Sequence, residues 1–509
     1  NILIDSGMKQ GASDLVSVPL PINEWEIDYI FLTHAHIDHS GNIPYLYKKG
    51  FRGKVICTIG TKELSNIMLK DSAYIQMSDA AWINKHNERS GKEKVEPLYT
   101  IEDVENVLKR FEEYDYQDII SISDNISIVF QDAGHLLGSA SIIVMLGTKS
   151  NYTSIVFSGD IGNENQPLIK NPSNIISQID YVVMESTYGN RLHEKPKDYI
   201  SLLASIIQKT FDRGGDLIIP SFAVGRAQEL LYFIREIKEK NMIKNHPNFK
   251  VYLDSPLANE ATEIYDKRVL SYCNSETAAL IEQGINPIIF DGLVRTTSVL
   301  DSKAISANEN PKIIISAAGM CDAGRIRHHL KHNLWRSECT IMFVGYQAVG
   351  TLGRIILDGA TKVKIFGEEI KVSAEIIQFP GISAHADSNG LVKWISALSE
   401  KPKKVFVVHG DDNSTISFCH RLIDEYGLDA VAPYSGTEYN LLTNEFEHTA
   451  GPTRVAITSH GNSFSKSFSK LLDAYENLGE VVNMYEYCAN KDIEKFSTQI
   501  CDLAQRWDD

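Results

Sequence analysis

The chain has 509 residues, 43% of them apolar, with 50 lysines and arginines against 66 aspartates and glutamates, a formal charge of −16. At roughly 100 to 200 residues per domain, this length makes two to four domains with cores of their own and excludes a disordered or fibrous chain. The negative balance disfavours any whole-surface attraction to nucleic acid or acidic membrane, although screening over about 8 Å leaves room for a local basic groove. The seven cysteines are odd in number and never form CxxC, so they suggest neither a disulfide framework nor a thiolate zinc site and fit a reducing cytoplasm. No apolar run approaches the roughly 20 residues that a membrane-spanning helix needs. The start carries no secretory pattern, and residues 1–5 read as the middle of a fold, so the first sheet is expected to lack its opening strands.

In chain order, short β-rich runs at 27–32, 54–58, 126–130, 141–146, 154–157, 181–184, 217–219, 251–253, 312–315, 340–344 and 405–408 alternate with helical patterns. That alternation predicts layered α/β architecture. Polar residues with chemical potential follow several of these runs directly: Thr33-His34, Ser158-Gly159-Asp160, Glu185 and His409-Gly410. A site at the carboxyl ends of strands is therefore expected. Between about 189 and 366 the pattern is plain strand-helix alternation resembling a doubly wound unit. Candidate residues stand before and after it, which makes it an insertion roofing a first domain that resumes near residue 375. Residues 451–509 read as strand, helix, strand, helix, a small α/β module with one apolar face per helix and no chemistry of its own.

The strongest local signal is His34-Ala-His36-Ile-Asp38-His39, directly after a strand. Three imidazoles and a carboxylate within six residues are costly to bury unpaired, and one such loop offers two donor pairs, His34 with His36 and Asp38 with His39. Two metals need further donors. The sequence supplies His135 in Gly134-His-Leu-Leu-Gly-Ser139, Asp160 in Ser158-Gly-Asp-Ile-Gly162 and His409 in Val407-Val-His-Gly-Asp411.

The ordered set Asp5, His34-x-His36-x-Asp38-His39, His135 and Asp160 resembles the metallo-β-lactamase superfamily. The later set Glu185, His385 in Gly381-Ile-Ser-Ala-His-Ala-Asp387, and His409 resembles motifs A, B and C of its β-CASP nuclease branch, most of all prokaryotic ribonucleases similar to the endonuclease subunit of the mRNA 3′-end cleavage machinery. Supporting stretches are Glu185-Ser-Thr-Tyr-Gly-Asn-Arg191, Pro220-Ser-Phe-Ala-Val-Gly-Arg-Ala-Gln228, Asp254-Ser-Pro-Leu-Ala258, Ser316-Ala-Ala-Gly-Met320 and Gly345-Tyr-Gln-Ala-Val-Gly-Thr351. The resemblance covers roughly residues 1–450. It implies a metallo-β-lactamase αββα sandwich with an inserted Rossmann-like β-CASP domain, divided as 1–190, 191–371 and 372–450, followed by the small α/β module 451–509. The strand pair that such proteins carry before the equivalent of residues 1–4 is absent.

The resemblance also implies roles. One zinc would be held by His34, His36 and His135, the other by Asp38, His39 and His409, with Asp160 bridging and Asp5 orienting a ligand; manganese is the alternative metal. Water activated between the ions would attack a phosphodiester. His385, held by Glu185, would protonate the leaving oxygen, so that His385, Glu185 and Asp38 form the catalytic set. The histidine at motif C favours RNA over DNA. The implied activity is a zinc-dependent ribonuclease of single-stranded RNA, endonucleolytic or 5′-exonucleolytic, cytoplasmic and homodimeric. A dinuclear hydrolase of a small ester or thioester and an inactive RNA-binding scaffold are the competing readings. The basic stretch from Arg325 through Arg327 to Arg336, with Arg354 and the hydroxyl of Ser383, offers candidate phosphate contacts, and a solvated helix face is its plain alternative. The loop 221–226 is either a phosphate cradle or a tight strand-to-helix turn.

Overall fold

Leu217–Pro220, Ile313–Ser316 and Thr340–Phe343 are buried at every position, as central strands covered on both faces must be. They form the middle of a six-stranded, all-parallel sheet in the order Leu293–Arg295, Val251–Leu253, Ile313–Ser316, Leu217–Pro220, Thr340–Phe343, Glu375–Gln378. The computed structural model of the chain describes residues 1–9, 17–148, 151–175, 177–193, 198–380, 383–454 and 495–501. The last strand of the parallel sheet lies beyond residue 371, because Glu375–Gln378 pairs in register with Thr340–Phe343 before the chain leaves the inserted segment.

Two further sheets face each other. The first is parallel and runs Ile2–Ile4, Tyr29–Phe31, Lys54–Thr58, Phe111–Tyr114. The second is mixed and seven-stranded, in the order Ala430–Val431, Lys404–Val407, Tyr181–Met184, Asn151–Phe157, Ala140–Thr148, Ile126–Asp132, Ile120–Ser123. Phe31 and Ile56 of the first pack with Ile128, Phe130, Ala140, Ile142 and Val144 of the second in one buried cluster. Helices cover the outer faces. Leu46, Leu69, Ala73, Val104 and Val107 lie over the first sheet, and Leu391, Trp394, Phe418 and Leu422 over the second. The layering is αββα, with the six-stranded domain inserted between Tyr181–Met184 and Lys404–Val407, which pair directly in parallel. Among the described residues no helix is long and apolar enough to cross a membrane. The expected module at 451–509 lies outside the described residues except for 451–454 and 495–501, the latter helical.

Local rules place the long helix Ile59–Ser90. Thr58 accepts a hydrogen bond from the Thr61 amide at its start, and Gly91 ends it in the left-handed conformation, φ 65°. The hydroxyls of Thr58 and Thr61 also donate to the Gly138 carbonyl, at 2.5 and 2.8 Å. Gly138 stands at φ 82°, where an added Cβ would lie 2.5 Å from the Thr61 amide nitrogen. The helix start thus anchors the loop that carries His135.

The same loop rests on Asp132, whose carboxylate accepts the Gly134 N–H at 2.9 Å. Burial pushes its pKa up to about 7, and the Gly134 N–H offsets only part of that. A folded pKa above the unfolded one means that the native chain keeps a proton which the unfolded chain releases above about pH 4, so stability falls as pH rises from about 4 to about 7. Asp132→Asn removes that loss. Its urea midpoint should gain on wild type between pH 5 and pH 8, by on the order of 2 to 4 kcal/mol in stability. Parallel pH dependences for the two proteins would show that Asp132 stays ionised throughout.

Candidate metal centre

Asp5 ends the first strand at φ 58°, a left-handed conformation uncommon for a residue with a side chain. Its carboxylate receives the Thr33 N–H at 2.7 Å, the Thr33 hydroxyl at 2.8 Å and His39 Nδ1 at 2.7 Å. Gly7 then passes so close to the next turn that an added Cβ would fall 1.4 Å from the Asp38 carbonyl oxygen. The short helix Ile37–Ser40, with His36 at its N-cap, presents Asp38 and His39.

These contacts settle which ring nitrogens point inward. His39 gives Nδ1–H to Asp5, leaving Nε2 with a lone pair. The single hydroxyl proton of Thr33 goes to Asp5, so toward His34 Nδ1, 3.0 Å away, that oxygen accepts, and His34 Nε2 is also bare. His135 Nδ1 lies 3.3 Å from the Ala384 carbonyl and donates to it, with the same result.

The bare nitrogens converge. His34 Nε2 is 3.1 Å from His36 Nδ1, which is 3.2 Å from His135 Nε2, and Asp160 Oδ2 stands 3.3 Å from His34 Nε2 and 3.4 Å from His135 Nε2. Tetrahedral zinc with bonds of about 2.0 to 2.1 Å requires donor–donor edges of about 3.3 Å. The four atoms match that figure. Beside them, His39 Nε2 is 2.9 Å from His409 Nε2 and 3.2 Å from Asp160 Oδ1, and Asp38 Oδ2 is 3.7 Å from His409 Nε2. Asp160 Oδ1 is buried and, among the described residues, accepts no hydrogen bond. An orphaned carboxylate oxygen among imidazole lone pairs fits cations, and all seven residues fall into two adjoining groups able to hold them.

Electrostatics follows the geometry. Burial pulls His34 and His135 down and takes His36 to about 3, which keeps these rings neutral, the form that ligates. On His39 and His409 burial is again the largest single influence and lowers the pKa, but the carboxylates together exceed it, Asp160 with Asp5 on His39 and Asp160 with Asp38 and Glu185 on His409, so both rise. Burial opposes charge on Asp160, and the surrounding imidazoles prevail, holding it well below the usual carboxylate range.

His385 completes the rim. The chain around it is stitched to the Asp160 loop, with Gly162 bridged to His385 and the Ala386 amide donating to Ile161 at 2.8 Å. Its Nδ1 lies 3.3 Å from both Glu185 oxygens and 3.8 Å from Asp160 Oδ2. Burial lowers its pKa, yet Glu185 and Asp160 raise it further, to about 9. Glu185 is itself fixed by the Ile161 amide at 2.5 Å. A cavity of about 400 Å³ opens over Asp5, Asp38, His39, Glu185 and His409.

The proposed phosphate contacts behave differently. Ser383 accepts the His385 N–H at 3.3 Å and so supports that turn. Arg325 bonds Asp254 at 2.7 Å, Arg327 covers the Phe366 ring at 4.6 Å, and Arg354 pairs with Asp358 at 2.8 Å. Among the described residues none of the three bonds a histidine of the clusters. In the loop 221–226, Gly225 caps the helix Arg226–Glu239 at φ 79°, and Arg226 is buried against Glu229. Sequence reasoning named Thr33 without giving its hydroxyl a role, and missed Thr187 beside His409 Nδ1 at 3.3 Å and His193, whose Nε2 donates to the His385 carbonyl at 2.9 Å. Their positions next to strand ends and motif residues were the only signal.

Residues 1–172 match the metallo-beta-lactamase superfamily, 227–356 the Beta-Casp domain, and 369–433 the Zn-dependent metallo-hydrolase RNA specificity domain. The chain is 33% identical over 417 residues to Ribonuclease TTHA0252 of Thermus thermophilus, 82% of this chain and 89% of that one. It is 30% identical over 438 residues to an RNase J-like protein of Methanocaldococcus jannaschii, covering 86% and 93%. It is 32% identical over 445 residues to the transcription termination factor FttA of Methanosarcina mazei, of whose length it spans 66%. With two adjoining histidine–aspartate clusters at the strand ends, an inserted parallel-sheet domain, and a relative 33% identical over most of both chains, the chain belongs to the β-CASP branch of the metallo-β-lactamase superfamily.

Proposed function

We propose that the chain is a ribonuclease that uses two zinc ions to hydrolyse phosphodiester bonds of single-stranded RNA. The observation that carries this reading is Asp160, whose two oxygens face separate histidine groups, as a bridging carboxylate must. The ribonucleases among its relatives and the RNA specificity domain matched at 369–433 support RNA as the substrate. His34, His36 and His135 would hold one ion and Asp38, His39 and His409 the other, a neutral-imidazole and carboxylate set that suits zinc. Two such ions would supply Lewis acidity, neutralising phosphate charge and lowering the pKa of a water molecule.

The chain's own residues do the rest. Asp5 holds His39 by its outer nitrogen and fixes the direction of Nε2. Glu185 keeps His385 turned and favours its protonated form, and His385 delivers that proton to the leaving 3′ oxygen.

RNA labelled separately at each end should be cleaved by wild type and left intact by His36→Ala. Internal fragments that do not depend on the 5′ group mark endonucleolytic cutting. Cleavage of bis(4-nitrophenyl) phosphate with no cleavage of any RNA would falsify the reading.

Metal analysis should find two divalent ions per wild-type chain and fewer in Asp160→Ala, with loss of RNA cleavage. Equal metal content would place Asp160 outside the coordination sphere.

His385→Ala should keep both ions while its kcat on RNA falls by about 10²- to 10⁴-fold. A 4-nitrophenolate leaving group needs no proton, so hydrolysis of bis(4-nitrophenyl) phosphate should fall far less. Equal losses on both substrates would mean that His385 does not act as the acid.

A further inference from the structure

The loop that follows Leu217–Pro220 reaches the histidine centre. Ala223 and Val224 share one buried cluster with Ala35, which sits between His34 and His36, and with Leu136 and Leu137, which follow His135. An added Cβ on Gly225 would stand 3.2 Å from Leu136 Cδ1. Phe222, one residue before this packed stretch, is nevertheless 47% exposed.

The ring has a defined seat. An added Cβ at Gly319 would lie 3.2 Å from the Phe222 nitrogen and 3.3 Å from its Cδ2, and one at Gly345 would lie 3.6 Å from its Cε2. Two glycines therefore hold the ring against bare backbone. Tyr346, the residue after Gly345, is 50% exposed. The strands leading to the two rings are neighbours, with Leu217 opposite Thr340 in parallel register.

A single exposed aromatic residue needs no explanation. Two of them on adjacent strand ends, at the carboxyl edge where α/β sheets bind ligands, point to a planar apolar ligand. Of the arginines that the sequence offered as phosphate contacts, Arg327 covers Phe366, Arg325 pairs with Asp254 and Arg354 with Asp358, so each is already engaged within the domain. Every nucleobase offers a π face to such a ring, and only an unpaired base can present it.

We infer that Phe222 is the stacking platform for a nucleobase next to the cleaved phosphodiester, with Tyr346 flanking it, an assignment that rests on the ribonuclease reading above. The platform makes the site take strands whose bases are free to leave a helix, and it acts on binding rather than on the chemical step.

The test uses the metal-loaded full chain and an RNA oligonucleotide with one mapped cleavage position, intact or with abasic nucleotides flanking that position. On intact RNA, Phe222→Ala should raise KM about 5- to 150-fold, the span of one stacked base, with kcat little changed. Phe222→Trp should keep KM near wild type, and Phe222→Leu should resemble the alanine variant, which separates stacking from simple filling of space. On the abasic RNA, wild type and Phe222→Ala should have the same KM. An unchanged KM for Phe222→Ala on intact RNA overturns the platform, and so does an equal loss on intact and abasic RNA, which would mark a structural role. Those results leave the ribonuclease reading standing. Failure of wild type to cut any RNA defeats that reading first and the platform with it.

Discussion

The structure turns on one buried carboxylate. Asp160 is 2% exposed, and its two oxygens lie 3.2 to 3.4 Å from imidazole nitrogens of separate groups. A charge at that depth costs several kcal/mol unless opposite charge surrounds it. The lone pairs that face it cannot supply that charge; cations seated between them would, and the rings could hold cations only in a fixed orientation, since a ring free to turn would present C–H instead of nitrogen. The outer contacts supply the constraint: Asp5 holds His39, Thr33 holds His34 and the Ala384 carbonyl holds His135.

That requirement shapes the backbone around it. The loops bearing His135 and Asp160 touch main chain to main chain, so that an added Cβ on Gly162 would fall 1.7 Å from the Gly134 carbonyl oxygen. The loop of Gly7 lies equally close to Asp38. Two packed sheets bring the strand ends together, and direct pairing of Tyr181–Met184 with Lys404–Val407 closes the sandwich across the whole inserted domain. His409 arrives in the centre through that pairing.

The acidic balance of the chain extends into its interior. Arg325 serves Asp254, which also takes His329 at 2.6 Å and Ser302 at 2.6 Å, and Arg336 serves Asp216 and Glu338. Cations that look available in the sequence are thus structural members of the inserted domain. A larger cavity of about 850 Å³, next to Ser383, is lined by Glu164, Asp198, Glu229, Glu236 and Glu276 together with Lys170, and contains none of the clustered histidines.

Much of the centre was legible in the sequence because its chemistry is local. His34, His36, Asp38 and His39 stand within one turn after a strand, and no other use of four such groups is cheap. Buried parallel strands read as unbroken apolar runs, which made the α/β layering and the insertion visible from 217–219 and 312–315. Tertiary structure alone decided what depends on contacts between distant residues. Arg325 meets Asp254 across 71 positions and His135 meets Ala384 across 249, and no periodicity encodes such pairs. The orientation of each ring nitrogen and the engagement of each arginine belong to that second class, because a hydrogen bond needs a partner's position as well as its identity.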